Sequence, residues 1–171
     1  MIKPQTNIIL IGMAGSGKSS IGRQLAKTLD REFTDTDSLM EKAAGWPLQK
    51  IISEKGLPAF RRLEEEILLS LQLVNHVIAT GGSSIYSRRG MEHLKENGIT
   101  VFLDVALSLL QVRIRNFAHR GLVKHPQQSF GELYWERMPL YREYADYIFS
   151  CGTMDKQQIC NGLVRLVQDI H

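Results

Sequence analysis

Short runs of apolar residues alternate along the chain with longer segments in which apolar residues recur every three or four positions. The short runs are typical of buried strands, and the longer segments are typical of amphipathic helices. The predicted strands are residues 7–11, 32–34, 77–80, 100–104 and 147–150. The predicted helices are residues 18–29, 38–44, 46–56, 58–71, 87–96, 107–116, 132–144 and 156–170. This alternation predicts an α/β fold, a three-layer α/β/α sandwich around a central, mostly parallel five-stranded sheet.

The turn after the first strand matches a phosphate-binding pattern. Residues 12–19 are Gly-Met-Ala-Gly-Ser-Gly-Lys-Ser, which fits G-x-x-x-x-G-K-[ST] at every fixed position, between a predicted strand and a predicted helix as the pattern requires. Backbone N–H groups and the positive end of the helix would converge on an anion. Lys18 would reach the β- and γ-phosphates as a catalytic group, and the hydroxyl of Ser19 would bind Mg²⁺. The predicted nucleotide-binding residues of this P-loop NTPase type fold are Gly15, Ser16, Gly17, Lys18, Ser19 and Ser20.

Polar residues and glycines follow two further predicted strands. Asp35 and Asp37 come after the second strand, and Gly81 and Gly82 come after the third. Because ligands bind beyond the carboxyl ends of parallel strands, we expect these residues to share one rim of the sheet with the phosphate-binding turn. The two glycines are therefore candidates for contacting a substrate.

The paired carboxylates suit phosphoryl transfer, which needs positioning and charge neutralisation rather than covalent catalysis. Asp35 could hold Mg²⁺ together with Ser19, directly or through water, and could also help to deprotonate an acceptor hydroxyl. Asp37 could accept a hydrogen bond from a hydroxyl of the acceptor. The alternative is that one of the two only caps the helix that begins at Ser38, since N-caps are commonly aspartate.

Three arginines are candidates for binding anions. Arg61 precedes the acidic residues 64–66, and its spacing leaves open whether it pairs with them on a solvated face or forks onto a substrate carboxylate. Arg120 lies in residues 117–129, where periodicity fails; we predict a mobile lid there that brings positive charge to the transferring phosphate, the alternative being a surface-loop arginine. Arg137 is a candidate ligand for a carboxylate or a phosphate.

Composition and charge narrow the class of protein. A length of 171 residues suits a single P-loop domain over residues 1–171 with the lid as a subregion, and 43% hydrophobic with 23% charged residues is ordinary for a globular protein. A net charge of +3 without a dense basic run argues against nucleic acid or a membrane as partner. The two cysteines, Cys151 and Cys160, favour reduced thiols over a disulfide framework. Because the chain enters its first strand without room for a signal peptide, we expect a cytoplasmic location. A monomer is a separate expectation.

Five motifs in order resemble the shikimate kinase family. They are Gly-Met-Ala-Gly-Ser-Gly-Lys-Ser at 12–19, Phe-Thr-Asp-Thr-Asp at 33–37, Phe-Arg-Arg-Leu-Glu at 60–64, Gly-Gly at 81–82 and Arg-Met-Pro-Leu-Tyr at 137–141. The resemblance implies Mg²⁺-assisted transfer of the γ-phosphoryl group of ATP to the 3-hydroxyl of shikimate. It also implies that Asp35 assists at Mg²⁺ and that Arg120 of the lid reaches the phosphates.

The same resemblance implies how the acceptor is held. In that family the aspartate matching Asp37 holds ring hydroxyls of shikimate. The arginines matching Arg61 and Arg137 bind its carboxylate, and the glycine matching Gly82 contacts it through the backbone. The partners implied are therefore ATP and a small anionic alcohol.

The chain departs from the family at three places. The family usually has a third glycine where this chain has Ser83, and a lid of Arg-Pro-Leu-Leu where this chain has Arg-Gly-Leu-Val at 120–123. The adenine-contacting loop of the family has no recognisable counterpart at residues 151–156. Two alternatives stay open: the same chemistry on another small hydroxy acid or amino acid, and a nucleotide-binding regulatory module without catalysis.

Overall fold

The computed structural model of the protein describes residues 6–115 and 122–170, along which five strands and seven α-helices alternate. The strands are β1 (Asn7–Ile11), β2 (Glu32–Asp35), β3 (His76–Ala79), β4 (Gly98–Asp104) and β5 (Tyr147–Ser150). The helices are α1 (Lys18–Thr28), α2 (Thr36–Ala44), α3 (Leu48–Ser70), α4 (Arg88–Glu96), α5 (Leu107–Arg115), α6 (Phe130–Tyr144) and α7 (Lys156–Asp169). A short 3₁₀ helix, Ser84–Tyr86, follows β3 and was not predicted.

The strands form one sheet in the order β2-β3-β1-β4-β5, and every neighbouring pair is parallel. The predicted α/β sandwich with five strands is confirmed, with a sheet that is wholly rather than mostly parallel within the described residues. All five residues of β1 are buried. A continuous apolar run of this kind is what a parallel strand needs when helices cover both faces of its sheet.

The direction of the crossovers places the ligand-binding crevice. From β1 the chain passes through α1 to β2 at one edge, whereas from β3 it passes through α4 to β4 in the opposite direction. Because such crossovers are right-handed, α1 and α4 lie on opposite faces of the sheet. α7 packs against α1, and α3 packs against α4. The adjacent strands β1 and β3 therefore flank the point where the connections reverse, which is where sheets of this type bind ligands.

Two predicted helix interruptions have different outcomes. The predicted break between helices 46–56 and 58–71 is confirmed: the range named α3 consists of two helical parts joined at Gly56, whose angles are non-helical (φ 80°, ψ 167°). A proline at 139 predicts a kink or a break in the helix that contains it. Helix α6 nevertheless continues through Pro139 to Tyr144.

Two apolar clusters support the fold. The larger one lies between the sheet and its covering helices. A smaller cluster joins α2, α3 and the segment after residue 121 through Met40, Ile51, Phe60 and Val123. Among the described residues, no helix is long and apolar enough to cross a membrane.

Candidate active site

The glycine-rich turn after β1 curls around the ammonium group of Lys18. Gly15 and Gly17 have φ of 84° and 95°, a region that only glycine adopts without strain, which is why the turn needs them. Lys18 is buried, and its Nζ donates hydrogen bonds to the carbonyl oxygens of Gly12 (2.6 Å) and Met13 (2.9 Å). The turn thus holds the ammonium group of Lys18 at its centre, in the position that the phosphate-binding pattern predicts.

The remaining predicted residues of this turn differ in exposure. Ser16 is buried with its Oγ 3.4 Å from the Nζ of Lys18, whereas Ser19 and Ser20 are exposed at the start of α1. Arg113 of α5 donates a hydrogen bond to the carbonyl oxygen of Gly15 at 3.0 Å and braces the loop from outside. The turn is therefore built from local backbone geometry with one support from a distant helix.

Asp35 caps α2 and also contacts Ser19, so its geometry is compatible with both functions that the sequence offers as alternatives. Its Oδ1 accepts hydrogen bonds from the N–H groups of Asp37 (3.0 Å) and Ser38 (3.3 Å) and caps α2. Its Oδ2 accepts a hydrogen bond from the hydroxyl of Ser19 at 2.5 Å. Capping fixes the carboxylate so that one oxygen faces the phosphate-binding turn, which brings the two predicted metal ligands together.

One cavity of about 640 Å³ connects the phosphate-binding turn with the rim residues of β2 and β3. This volume lies in the range of small-molecule sites in proteins. The predicted site residues in its wall are Gly15, Gly17, Lys18, Ser19, Ser20, Asp35, Asp37, Gly82 and Arg137. Ser16, Gly81 and Arg61 lie outside the wall. The prediction that three strand ends converge on one rim is confirmed by this geometry.

Gly81 marks the place where two carboxylates meet. A Cβ at this position would stand 2.6 Å from Oδ1 of Asp37 and 2.8 Å from Oε1 of Glu64, so no larger residue fits without moving them. The N–H of Gly81 donates to Oγ1 of Thr36 at 3.0 Å, which ties the turn after β3 to the start of α2. The missing side chain leaves room for acidic groups from two helices.

Gly82 lies between the phosphate-binding turn and α6. A Cβ here would stand 3.1 Å from Nη1 of Arg137 and 3.4 Å from the backbone nitrogen of Ala14. The carbonyl oxygen of Gly82 accepts a hydrogen bond from the hydroxyl of Tyr141 at 2.6 Å. Burial raises the pKa of Tyr141 to about 12, so its hydroxyl stays protonated and remains a donor. Tyr141 therefore joins α6 to the turn after β3. Nothing in its sequence context indicated this contact.

Glu64 is a functional candidate that the sequence analysis missed. The interpretation of residues 64–66 as a solvated acidic face is wrong for Glu64, whose side chain is 2% exposed. Desolvation raises the pKa of Glu64 to about 7, and a hydrogen bond from Ser83 opposes that rise. The signal was present in the spacing, since Glu64 lies four residues after Phe60 and four before Leu68, both of which are buried on α3.

Arg137 and Arg61 approach the same aromatic ring from α6 and α3. The guanidinium carbon of Arg61 lies 4.5 Å from the ring centre of Tyr86, and that of Arg137 lies 5.4 Å from it. Arg137 is 1% exposed and donates a hydrogen bond to the carbonyl oxygen of Val123. Arg61 is exposed. Two cations and the carboxylates of Asp37 and Glu64 thus form a compact charged region beside the cavity.

The predicted lid is only partly within the described residues. Arg120, predicted to reach the phosphates, lies outside them, as do residues 117–119 and Gly121. Of the described part of the lid, Leu122 and Val123 line the cavity, and Val123 is buried in the smaller apolar cluster. This segment therefore forms the part of the cavity wall next to Arg137.

Comparison with known proteins identifies relatives that match most of the chain. A family model described as shikimate kinase matches residues 14–168. The shikimate kinase of Vibrio vulnificus (strain YJ016) is 33% identical over 166 residues, which cover 95% of this chain and 96% of that protein. The shikimate kinase of Xylella fastidiosa (strain M23) is 36% identical over 156 residues, which cover 90% and 87%.

Solved structures agree with these sequence matches. The structure of shikimate kinase from Acinetobacter baumannii in complex with shikimate matches with a TM-score of 0.89 at 32% identity and covers 96% of this chain and 94% of that one. Shikimate kinase from Aquifex aeolicus matches with a TM-score of 0.78 at 30% identity, covering 95% and 96%. The likeness thus extends over nearly the whole chain.

Proposed function

The chain belongs to the shikimate kinase family, and we propose that its own residues divide one cavity into a site for ATP and a site for shikimate. It is an ATP-dependent kinase that phosphorylates a hydroxyl of shikimate. The main support for this assignment of residues is that one continuous cavity is lined both by the phosphate-binding turn and by Arg137. A phosphoryl group can pass between the two sites only if they share such a space.

On the ATP side, the backbone N–H groups of residues 15–20 would surround the phosphates. Lys18 would leave its loop carbonyls to contact the β- and γ-phosphates and neutralise the charge that spreads over the transferring group. In the structure, two hydrogen bonds to loop carbonyls already hold the ammonium group of Lys18 inside the phosphate-binding turn, close to where the phosphates would bind. Arg120 stays a prediction for a second cation at the phosphates.

Ser19 and Asp35 fit a magnesium ion bound with ATP. Their oxygens are 2.5 Å apart, line the same cavity and are of the hard type that Mg²⁺ prefers. Mg²⁺ usually takes few protein ligands and completes its octahedron with phosphate oxygens and water, so two side chains suffice. The ion would supply charge stabilisation at the phosphates. In this arrangement the carboxylate of Asp35 is a metal partner, and its other oxygen stays with the cap of α2.

On the acceptor side, opposite charges would grip opposite ends of shikimate. The carboxylate of Asp37 would accept hydrogen bonds from ring hydroxyls, and the guanidinium groups of Arg61 and Arg137 would bind the carboxylate of the acceptor. The absence of side chains at Gly81 and Gly82 lets the acceptor approach the backbone after β3. Held this way, the acceptor hydroxyl would face the γ-phosphate without any covalent step by the protein.

A coupled assay of ADP release tests the proposal. We expect ADP release at saturating ATP and Mg²⁺ to depend on shikimate and to stop when Mg²⁺ is chelated. A panel of other small hydroxy acids and hydroxy amino acids serves as the control for acceptor identity. ADP release with one of those acceptors and none with shikimate would remove the named substrate and leave the kinase chemistry. The cytoplasmic location and the monomeric state stay predictions.

A further inference from the structure

Two serines after β3 each donate a hydrogen bond to a glutamate of α3. Ser83 Oγ donates to Oε2 of Glu64 at 2.6 Å, and Ser87 Oγ donates to Oε2 of Glu65 at 2.7 Å. The two pairs differ in their surroundings. Ser83 and Glu64 are both 2% exposed. Glu65 also pairs with the exposed Arg89 at the surface. The chain therefore contains one buried serine–glutamate pair beside the cavity and one similar pair outside it.

The second oxygen of Glu64 lies behind the cavity wall, beside the carboxylate of Asp37, which is part of that wall. Oε1 of Glu64 and Oδ1 of Asp37 both lie within 2.8 Å of the point where a Cβ of Gly81 would stand. Within the described part of the chain, Oε1 of Glu64 is one of few buried polar side-chain atoms with no hydrogen-bond partner. Because a buried carboxylate oxygen is costly to leave unpaired, an unmet acceptor at this place indicates a donor that arrives with a ligand.

We propose that Ser83 is a positioning residue for the acceptor: its hydroxyl fixes the carboxylate of Glu64 so that Oε1 accepts a hydrogen bond from a hydroxyl of the acceptor, next to Asp37. The inference rests on the proposed function for the identity of the acceptor, a small polyhydroxylated carboxylate. A glutamate has several rotatable bonds, and a hydrogen bond to one oxygen selects the rotamer that aims the other. Ser83 lines the cavity, and Glu64 lies directly behind it.

Several charged and titratable groups act on Glu64. Asp37 of α2 is a like charge, whereas Arg61 on the same helix and Arg137 of α6 are opposite charges. Tyr141 of α6 is close enough to be influenced by Glu64. Desolvation is the largest effect and raises the pKa of Glu64 to about 7, and the Ser83 hydrogen bond lowers it because the donor favours the ionised form. Removing the hydroxyl should therefore move the titration of Glu64 to higher pH.

The variant Ser83→Ala tests the inference, since residue 83 has φ −95° and ψ −4°, which alanine adopts freely. We expect the KM for shikimate to rise about 10-fold, with kcat and the KM for ATP nearly unchanged. The acid limb of the pH profile of kcat/KM for shikimate should move to higher pH. Ser87→Ala is the control, because it removes the same type of bond to Glu65 outside the cavity. The Oγ of Ser87 also accepts a hydrogen bond from the N–H of Gly90 and caps α4, so this variant should lose some stability but change neither the KM nor the pH profile.

Two further measurements separate positioning from mere support of the fold. In a Glu64→Gln background, Ser83→Ala should no longer move the pH profile, and its effect on the KM should shrink, as expected for coupled residues. Carbon-13 NMR of the Glu64 carboxyl reads its titration without any acceptor. If that titration is unmoved by Ser83→Ala, or if the KM is unchanged in active protein, the inference is overturned. Lack of activity of the unmodified protein with shikimate would instead overturn the proposed substrate.

Discussion

The two halves of the cavity are built in different ways. The phosphate half comes from one continuous turn whose backbone surrounds the ammonium group of Lys18. The acceptor half is assembled from α2, α3, the turn after β3 and α6: Asp37, Gly82 and Arg137 line it, and Glu64 of α3 lies behind its wall. A local motif can specify the first half, whereas the second exists only when four separate segments are folded together.

The halves also differ in how completely their buried polar side chains are paired. In the phosphate half, Lys18 donates to loop carbonyls and Ser19 donates to Asp35. In the acceptor half, two buried atoms, Oε1 of Glu64 and Nε of Arg137, have no hydrogen-bond partner among the described residues. The paired half is prepared for a ligand that every kinase of this type shares. The incompletely paired half is where selection between acceptors, and loss of stability, should be concentrated.

The largest expected effect separates chemistry from acceptor binding. Lys18→Ala should lower kcat by about 1,000-fold, because it removes a charge aimed at the transition state. Affinity for shikimate, measured by calorimetry, should persist because the acceptor half lies on other elements. Lys27→Ala, an exposed position on the same helix, is the matched control and should leave kcat unchanged. If Lys18→Ala abolished shikimate binding while staying folded, the two halves would not be separable.

A smaller effect is expected at the edge of the acceptor half. Arg61→Ala should raise the KM for shikimate about 30-fold, because a hydrogen bond between charged groups is lost, with kcat nearly unchanged. The neighbouring Arg62 is also exposed but faces about 100° away around the helix, so Arg62→Ala should leave the KM unchanged. Steady-state kinetics with both variants decides the matter. Equal effects of the two substitutions would show that Arg61 does not bind the carboxylate of the acceptor.

Much of the fold and the phosphate half could be predicted because their signals are local. Apolar runs placed all five strands within one or two residues of their observed bounds, and a fixed spacing of glycines located the phosphate-binding turn. The convergence of Asp35 and Asp37 with Ser19 followed from a general property of parallel sheets. The 3₁₀ helix Ser84–Tyr86 was missed because so short a segment has no periodicity to detect.

The acceptor half was harder to predict because its contacts depend on how helices rotate against each other. Glu64 looked like part of a charged face until its position between Phe60 and Leu68 was recognised as a buried stripe. Ser83 was visible only as a departure from a glycine pattern, without any indication that it reaches Glu64. The contact of Tyr141 with Gly82 joins residues 59 positions apart, and an aromatic residue in a helix is usually explained by packing alone.

The smallest expected effect concerns stability. It tests whether burying the ionised carboxylate of Glu64 in the acceptor half lowers the free energy of unfolding. The pKa of Glu64 is raised from its ordinary 4.5 to about 7, first by desolvation, so the folded state holds the proton more tightly than the unfolded state. The contribution of Glu64 to the free energy of unfolding is therefore highest below about pH 4.5, falls as the pH rises toward 7, and stays low above it.

Glu64→Gln removes this ionisation while retaining an acceptor for Ser83. We expect urea unfolding to give a free energy higher than that of the unmodified protein by about 1 kcal/mol at pH 8, with the gain disappearing toward pH 4.5. The same variant should bind shikimate less tightly, as is usual where a site gives up stability for function. A gain that did not vary with pH would mean that packing, rather than the charge of Glu64, distinguishes the acceptor half from the phosphate half.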